Sequence, residues 1–249
     1  MASKTPEESI SIAPEKIYNN LEHSDVIIRY GPLNAKVFYG HRQTLASESR
    51  WFRKAFEGQF FKESQDKEIT LHGDDAAALD KMFEFIYFHK SNQYWYPLSF
   101  GLEYLENRQA RVDFQLNIYE AADKYDVPEL LRQIPSMFHF DLGVWMHAID
   151  YPVSPGDEAI TKDVVFDTIE RAYNLTAAWK QSDLREKLFS CIHSSISREY
   201  DPEYMWASDG KLVIWLRDFV EAVPEFGKDL YLHTLPRPPT PYEGSTEIT

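Results

Sequence analysis

The sequence predicts an α+β fold, in which a hairpin, two short helices and a short strand are followed by a series of further helices. Within SDVIIRYGPLNAKVFYGHR, residues 24–42, two strand-forming segments are separated by the turn residues GPLN, which is typical of two strands joined by a turn. From residue 76 onward, apolar residues recur instead every three or four positions, as they do in amphipathic helices. A small sheet near the amino terminus and a helical C-terminal region are therefore expected.

Composition limits the class of protein. The chain has 249 residues, of which 43% are hydrophobic, enough for one large domain or two small ones. The formal net charge of −14 argues against a phosphate-binding surface, so we expect no nucleic-acid partner. Cys191 is the single cysteine, which excludes an internal disulfide and a cysteine-rich zinc site.

No targeting segment or cofactor motif is apparent. The first residues lack the apolar core of a secretion signal, and no run of about 18 uncharged apolar residues predicts a membrane span. Only 10 glycines occur, and none forms a glycine-rich loop before a helix. We therefore expect a cytoplasmic or nuclear protein without a metal or cofactor.

The amino-terminal part is expected to contain one helix before the hairpin. Residues 1–14 are polar and are predicted to be mobile. Over residues 15–23, EKIYNNLEH places Ile17, Tyr18 and Leu21 at helical spacing. This pattern predicts one short amphipathic helix.

The hairpin is followed by two predicted short helices. The first strand begins at about Asp25, the turn covers GPLN, and the second strand passes through residues 37 and 38. Residues 44–58, TLASESRWFRKAFEG, then carry apolar side chains at mixed three- and four-residue spacing. Ser47 or Ser49 is suited to cap the second of these helices.

A short strand and a longer helix come next. EITL, residues 68–71, predicts the strand, and Asp74 and Asp75 stand where a helix start favours negative charge. AAALDKMFEFIYFHK, residues 76–90, predicts the helix. Residues 90–112 break the pattern with aromatic residues, a proline and a glycine, which predicts an insertion with room for a short strand.

The remaining chain is predicted to be helical up to its tail. Residues 113–140 form a helical pair that breaks near Asp126 and restarts with Pro128 in a first turn. A helical extension over residues 142–234 is expected to contain three more helices. Residues 235–249, rich in Pro, Thr and Glu, are predicted to be disordered.

Five motifs, taken together and in this order, resemble the BTB/POZ domain. They are HSDVIIRYG, VFYGHRQTLASESRWFRKAF, FKESQDKEITL, FEFIYFHK and YEAADKYDVPELL. The resemblance covers about half of the chain and places a BTB/POZ domain at residues 15–141. The chain is similar to the compact, stand-alone BTB proteins common in fungi, and lacks the extra leading strand of longer members.

The resemblance implies a small sheet flanked by helices and a non-catalytic role in protein–protein interaction. It also implies a homodimer through the first helix, which carries Tyr18 and Leu21. In the family, the positions of Asp25 and Arg42 form a charged pocket. Those two residues alternatively form a purely structural ion pair, because a buried aspartate needs a cation or donors. His41 is expected to be structural, since no second ligand stands at metal spacing.

The resemblance further implies a cullin as partner. BTB proteins that act as substrate adaptors of cullin-RING ubiquitin ligases carry a hydrophobic residue, any residue and a glutamate before the third strand. Phe61, Lys62 and Glu63 match this pattern, and Tyr125 matches a position on the adjacent cullin-facing surface. Alternatively, Phe60 or Phe61 closes the core.

Two further functional classes compete with the adaptor. An enzyme would need a nucleophile beside a base, but Cys191 and His193 are two positions apart on a helix and face different ways. A homodimeric BTB scaffold without a ligase role remains open, and the proline-rich tail could serve it as a ligand. No propeller, MATH domain or zinc finger is apparent, so an unknown protein substrate would have to bind after residue 142.

Overall fold

Short strands and many helices make up the regular structure of this chain. The computed structural model describes residues 14–57, 66–90, 108–152, 160–177, 182–199 and 210–235. The strands in these ranges are β1 (Val26–Tyr30), β2 (Lys36–Gly40) and β3 (Glu68–Thr70). The helices are α1 (Pro14–Ile17), α2 (Arg42–Glu48), α3 (Arg50–Glu57), α4 (Ala76–Phe88), α5 (Arg108–Lys124), α6 (Pro128–Asp150), α7 (Lys162–Leu175), α8 (Asp183–Glu199), α9 (Lys211–Ala222) and α10 (Pro224–Thr234). The predicted α+β class is confirmed.

The three strands form one sheet in the order β2-β1-β3. β1 and β2 pair antiparallel, with Ile28 opposite Phe38, and this confirms the predicted hairpin. β3 joins the other side of β1 in parallel, with Ile28 opposite Ile69. Every second residue of β1 is buried, which gives the sheet one face toward the helices.

A five-residue loop closes the hairpin. Gly31 has a φ of 75°, a conformation that favours glycine, and an added Cβ there would lie 3.2 Å from Ala76 Cβ. Pro32–Asn34 then form one turn of 3-10 helix. Leu33, at the tip, is fully exposed and has a φ of 53°.

The first helix is shorter than predicted. The pattern of residues 15–23 predicts one helix, whereas α1 ends at Ile17. Asn19 takes a positive φ of 49°, and its side-chain oxygen accepts a hydrogen bond from the backbone N–H of Tyr39 at 2.9 Å. The Asn20 side chain accepts from the backbone N–H of Glu22 at 3.0 Å. The two asparagines therefore end the helix, because their short polar side chains bind backbone groups outside it.

The two predicted helices after the hairpin are confirmed as α2 and α3. Ser49 is the residue between them, and its hydroxyl accepts from the backbone N–H of Phe52 at 3.0 Å. Ser47 instead donates to the carbonyl of Thr44, one turn back within α2. Of the two candidates, Ser49 is therefore the cap of α3.

Aromatic side chains of the sheet and of α4 form the core of the first part of the chain. Phe38 of β2 stacks on Phe83 of α4, with ring centroids 4.4 Å apart. Phe52 of α3 is completely buried and lies 6.3 Å from the same ring. The carboxylate of Asp75 caps α4 by accepting from the backbone N–H of Ala78 at 2.7 Å. The helix predicted over residues 76–90 is thus confirmed, with its apolar face on the sheet.

The predicted insertion ends earlier than its sequence suggests. α5 already begins at Arg108, whereas the pattern predicts irregular structure up to residue 112. Residues 91–107, where the sequence leaves room for a short strand, are outside the described ranges. The break between the next two helices occurs as predicted, since Asp126 has a φ of 48° and Pro128 opens α6.

The chain divides into two compact units, residues 1–145 and 146–249. The three helices predicted for the C-terminal region are confirmed as α7, α8 and α9. A further helix, α10, was not predicted, and it starts with Pro224 immediately after α9. The predictions for residues 1–13 and for the tail beyond residue 235 concern segments that are not described.

A buried arginine holds α10 in the second unit. Arg185 of α8 donates to Asp229 at 3.0 Å and to the Thr176 hydroxyl at 3.1 Å. The hydroxyl of Tyr173 donates to the same Asp229 oxygen at 2.9 Å, and its ring lies 4.3 Å from the guanidinium carbon. Phe226 of α10 is completely buried. α10 therefore contributes a carboxylate that pairs with the buried arginine and a buried aromatic side chain to this unit.

We expect the ionised side chain of Glu129, in the first turn of α6, to make the folding stability of the protein fall at low pH. Arg132 donates to Glu129, with 2.9 Å between Nε and Oε2, and Gln133 donates at 2.7 Å. The hydrogen bond from Arg132, the largest cause, lowers the pKa of Glu129 from 4.5 to about 2. The stabilisation is therefore present above pH 4.5 and is lost as the pH falls toward about 2. In urea titrations across this range, Glu129→Gln should lose less stability than the parent protein.

The exposed carboxylate of Glu22 provides the control for this comparison. Glu22→Gln should leave the acid dependence of the urea midpoint unchanged. An equal acid dependence in Glu129→Gln and the parent protein would show that the Arg132 contact adds nothing to folding. The expected difference is small, because Arg132 is exposed and surface ion pairs contribute about 0–1 kcal/mol.

Candidate functional site

The turn between α5 and α6 is the centre of a hydrogen-bond cluster in the first unit. Tyr125, in this turn, is 1% exposed. Its ring packs edge-on against Trp51 at 5.1 Å and stacks on Phe52 at 5.8 Å. Its hydroxyl donates to Asp74 Oδ2 at 2.7 Å. Burial, followed by the bond to Asp74, raises the pKa of Tyr125 well above its ordinary value, so the hydroxyl stays a donor.

Asp74 joins the turn to the loop between β3 and α4. Lys124 Nζ donates to Asp74 Oδ1 at 2.8 Å and to the backbone carbonyl of His72 at 2.7 Å. Asp74 therefore receives hydrogen bonds from two neighbouring residues of α5 and the turn, while Asp75 caps α4. The sequence predicts both aspartates as helix caps, which is confirmed for Asp75 only. Asp74 instead binds residues about fifty positions away, and a local pattern does not show such a contact.

Ser49 and Arg50 join the same turn to the boundary between α2 and α3. The Ser49 hydroxyl donates to the backbone carbonyl of Tyr125 at 2.5 Å. The backbone N–H of Arg50 donates to the carbonyl of Asp126 at 3.0 Å, and its guanidinium lies 3.6 Å from the Asp126 carboxylate. The α5–α6 turn, the β3–α4 loop and the α2–α3 boundary therefore meet at one place. Each polar group of the turn named here has a hydrogen-bond partner.

The proposed docking triplet is in a segment that the structure does not describe. Phe60, Phe61, Lys62 and Glu63 belong to residues 58–65, between α3 and β3. The described neighbours are Glu57, which ends α3, and Asp66. Whether Phe61 is exposed or closes the core therefore stays a prediction.

Asp25 and Arg42 are in contact, but through the arginine backbone. The backbone N–H of Arg42 donates to Asp25 Oδ1 at 2.7 Å. The Arg42 guanidinium donates to the carbonyl of Asp66 and stacks 4.9 Å from the Phe56 ring centroid. Asp25 is exposed, so it accepts from the first turn of α2 at the surface rather than in a buried ion pair. These contacts explain both residue types structurally, and their use as a charged pocket stays a prediction.

His41 contacts Tyr87 twice. The backbone N–H of His41 donates to the Tyr87 hydroxyl at 2.8 Å, and the ring Nδ1 lies 2.9 Å from the same oxygen. The hydroxyl already accepts from the backbone, so its own proton is available to Nδ1. Desolvation raises the pKa of Tyr87, which keeps that proton in place. The Tyr87 contacts agree with a structural role for His41, although its other ring nitrogen, Nε2, is buried without a hydrogen-bond partner among the described residues.

Tyr18 and Leu21, the predicted dimer contacts, have opposite environments. The Tyr18 ring lies 5.1 Å from Phe88 and 5.5 Å from both Phe38 and Tyr87. Burial raises the pKa of Tyr18 above its ordinary value. Leu21, by contrast, is 62% exposed. Tyr18 therefore anchors the segment to the core, and Leu21 points an apolar side chain outward.

The alternative of an enzyme gains no support from Cys191 and His193. Cys191 is buried, with its sulfur 4.0 Å from Met146 Sδ, and His193 is exposed on α8. The expectation that they face different ways is confirmed. Within the described ranges, no three His, Cys, Asp or Glu side chains are arranged to hold a metal ion. In the same ranges, no helix is both long and apolar enough to span a bilayer.

Comparison with known families identifies the first unit. The family model of the BTB/POZ domain matches residues 15–141, about half of the chain. The chain belongs to the BTB/POZ family. The predicted resemblance is therefore confirmed, and the BTB domain is a protein–protein interaction module. No curated protein matches the chain.

The cluster around Tyr125 and the contact between Asp25 and the Arg42 backbone both lie within the matched range. Sequence reasoning missed Ser49 and Lys124 as members of the cluster. Ser49 was recognised as a cap, but its second bond, to a carbonyl 76 positions away, has no local signal.

We expect removal of the Tyr125 hydroxyl to destabilise the BTB domain moderately. Tyr125→Phe keeps the ring but deprives Asp74 of one donor, while Lys124 still donates, so the expected loss is about 1 kcal/mol. Tyr125→Ala removes the buried ring and should cost about 3–5 kcal/mol. Urea unfolding followed by circular dichroism measures both changes.

Tyr231 is the matched control because its ring is exposed on α10. Tyr231→Phe should shift the unfolding free energy by less than about 0.5 kcal/mol. If Tyr125→Phe behaved like Tyr231→Phe, the bond to Asp74 would contribute nothing to folding.

Proposed function

We propose that this BTB protein is a substrate adaptor that recruits a cullin-RING ubiquitin ligase. The observation that carries the proposal is the sequence Phe61-Lys62-Glu63 between α3 and β3 of a BTB domain. BTB adaptors use a hydrophobic residue, any residue and a glutamate at this place to dock on a cullin of the BTB-binding type. An aromatic anchor with a nearby carboxylate concentrates binding energy in few residues.

In this proposal, Tyr125 is a buried positioning residue and not a contact residue. Its side chain is 1% exposed, so a direct contact with a partner is not available to it. It packs against Trp51 of α3, and α3 ends four residues before Phe61. We therefore assign Tyr125 the role of fixing α3, and with it the start of the docking segment.

The second unit is the proposed site for an unknown protein substrate. An adaptor needs a surface for its substrate besides the one that binds the ligase, and α7 to α10 form a separate compact unit after the BTB domain. We place this activity in the cytoplasm or the nucleus. These compartments keep thiols reduced, and a chain with a single cysteine forms no internal disulfide.

Titration calorimetry against the N-terminal region of a BTB-binding cullin tests the adaptor. The parent protein should bind with micromolar or tighter affinity, and Phe61→Ser should weaken binding roughly a hundredfold, because a hot-spot anchor is lost. Glu63→Ala should also weaken binding strongly. Lys62→Ala is the matched control, since a rim charge contributes little.

The variants must first be shown to remain folded. Circular dichroism melts of each variant separate loss of the fold from loss of docking. If Phe61→Ser unfolds the protein, Phe61 is part of the core, and Glu63→Ala then decides the question alone. Absence of heat with the folded parent protein at high concentration would refute the adaptor.

A homodimeric scaffold without a ligase role is the second candidate, and Leu21 favours it. An isolated leucine that is 62% exposed, in a segment anchored by Tyr18, offers an apolar contact to a second copy of the chain. The family resemblance implies a dimer through this segment. Dimerisation is compatible with either function, but only the scaffold requires it.

Replacing Leu21 by lysine should convert a dimer into a monomer. A charged side chain in the centre of an apolar interface is left desolvated and unpaired, which strongly disfavours association. Light scattering coupled to size-exclusion chromatography measures the mass. Leu33→Lys is the matched control, because Leu33 is also exposed but lies at the hairpin tip. A monomeric parent protein, or an unchanged dimer mass in Leu21→Lys, would refute this interface.

A further inference from the structure

A cluster of polar side chains lies between α5 and α6 of the BTB domain. Gln115 of α5 is 1% exposed, and its side-chain Nε2 donates to Asp141 Oδ2 of α6 at 2.6 Å. Arg111 lies one turn before Gln115 on the same side of α5. The distance from Arg111 Nε to Asp141 Oδ1 is 3.7 Å. We call these three residues the α5–α6 cluster.

Two buried polar atoms of the α5–α6 cluster lack a partner in the protein. Arg111 Nε and Gln115 Oε1 form no hydrogen bond with any group in the part of the chain that the structure describes. The 3.7 Å between Arg111 Nε and Asp141 Oδ1 is too long for a hydrogen bond, although the opposite charges attract each other. An unpaired buried donor or acceptor costs free energy, so native proteins pair nearly all of them.

Turning the Gln115 amide over does not pair these atoms. A carboxylate only accepts hydrogen bonds, so Asp141 must face the NH2 group of the amide and not its oxygen. The reversed amide would place two acceptors against each other. Gln115 Oε1 is therefore the atom that needs a donor, while Arg111 Nε needs an acceptor.

A water molecule supplies both missing partners at once. It accepts a hydrogen bond from Arg111 Nε, and its two protons are donated to Gln115 Oε1 and Asp141 Oδ1. Three hydrogen bonds are the usual number for a buried water, and globular proteins hold roughly one such water per 27 residues. The Arg111 side chain is 28% exposed, so its guanidinium can shift toward the solvent and make room for the water.

We propose that the α5–α6 cluster binds one ordered, buried water molecule through Arg111 Nε, Gln115 Oε1 and Asp141 Oδ1. The water completes the polar contact between the two helices and thereby fixes the rotation of α6 about its axis. Phe140, the residue before Asp141, is 69% exposed, and this rotation keeps its ring at the surface. The water site belongs to the fold of the BTB domain and does not depend on cullin binding.

A high-resolution crystal structure of the full chain tests the site directly. Electron density for a water should lie within about 3.2 Å of both Arg111 Nε and Gln115 Oε1. In a map that shows other buried waters, absence of this density would overturn the proposal. A direct hydrogen bond from Arg111 Nε to Asp141 that leaves no room for the water would overturn it as well.

NMR spectroscopy tests the same water in solution. A long-lived buried water should give cross-relaxation peaks with the side-chain protons of Gln115. Arg111→Met removes the Nε donor but keeps the bond between Gln115 and Asp141, so these peaks should be lost. Gln109→Leu is the matched control, because Gln109 is also on α5 but its 3.4 Å bond to Asp113 is outside the cluster.

The peaks should persist unchanged in Gln109→Leu. Their absence from the parent protein, or equal strength in Arg111→Met, would refute the three-partner site. Circular dichroism shows whether each variant is folded. If Arg111→Met does not fold, Arg111→Lys keeps the positive charge but still lacks the Nε donor, and the same loss of the peaks is expected there.

Discussion

The hydrogen bonds at the turn between α5 and α6 constrain the rest of the BTB domain. Tyr125 supplies a hydroxyl to Asp74 and a carbonyl to Ser49, so one buried residue joins three distant segments. Its ring packs edge-on against Trp51 and stacks on Phe52. An unpaired polar group here would cost free energy at burial, so the three segments must meet in one arrangement. α3 is thereby held in place at both its cap and its side.

Much of the fold follows from local patterns, and the site follows from contacts that local patterns do not encode. The hairpin and α4 are predictable because strand-forming segments, turn residues and a capping aspartate all lie within a few positions. α1 ends early because Asn19 binds a strand about twenty positions later, and α10 was missed because it follows α9 at a proline. Tyr125 was placed on a surface by resemblance, whereas its burial depends on partners far away in sequence.

The described charges and apolar groups give the BTB domain the character of a binding module. Asp25, His41 and Asp74 are each explained by a structural contact with a backbone or side-chain group. At the surface, Leu21 is 62% exposed, so the packing of the core does not account for its apolar side chain. Groups that fold stability does not require are the ones available for recognition of another protein.

The parallel pairing of β3 with β1 affects how the chain reaches its native state. Ile28 and Ile69 are partners across 41 residues, whereas Ile28 and Phe38 are separated by 10. Closing the longer loop costs more entropy, and such non-local pairing slows folding. During synthesis the hairpin leaves the ribosome first, and one edge of β1 stays unpaired until β3 emerges. A nascent chain of this protein thus exposes the unpaired N–H and C=O groups of one β1 edge while α2 and α3 are being synthesised. Chaperones could bind the chain during this period and prevent it from pairing with other chains.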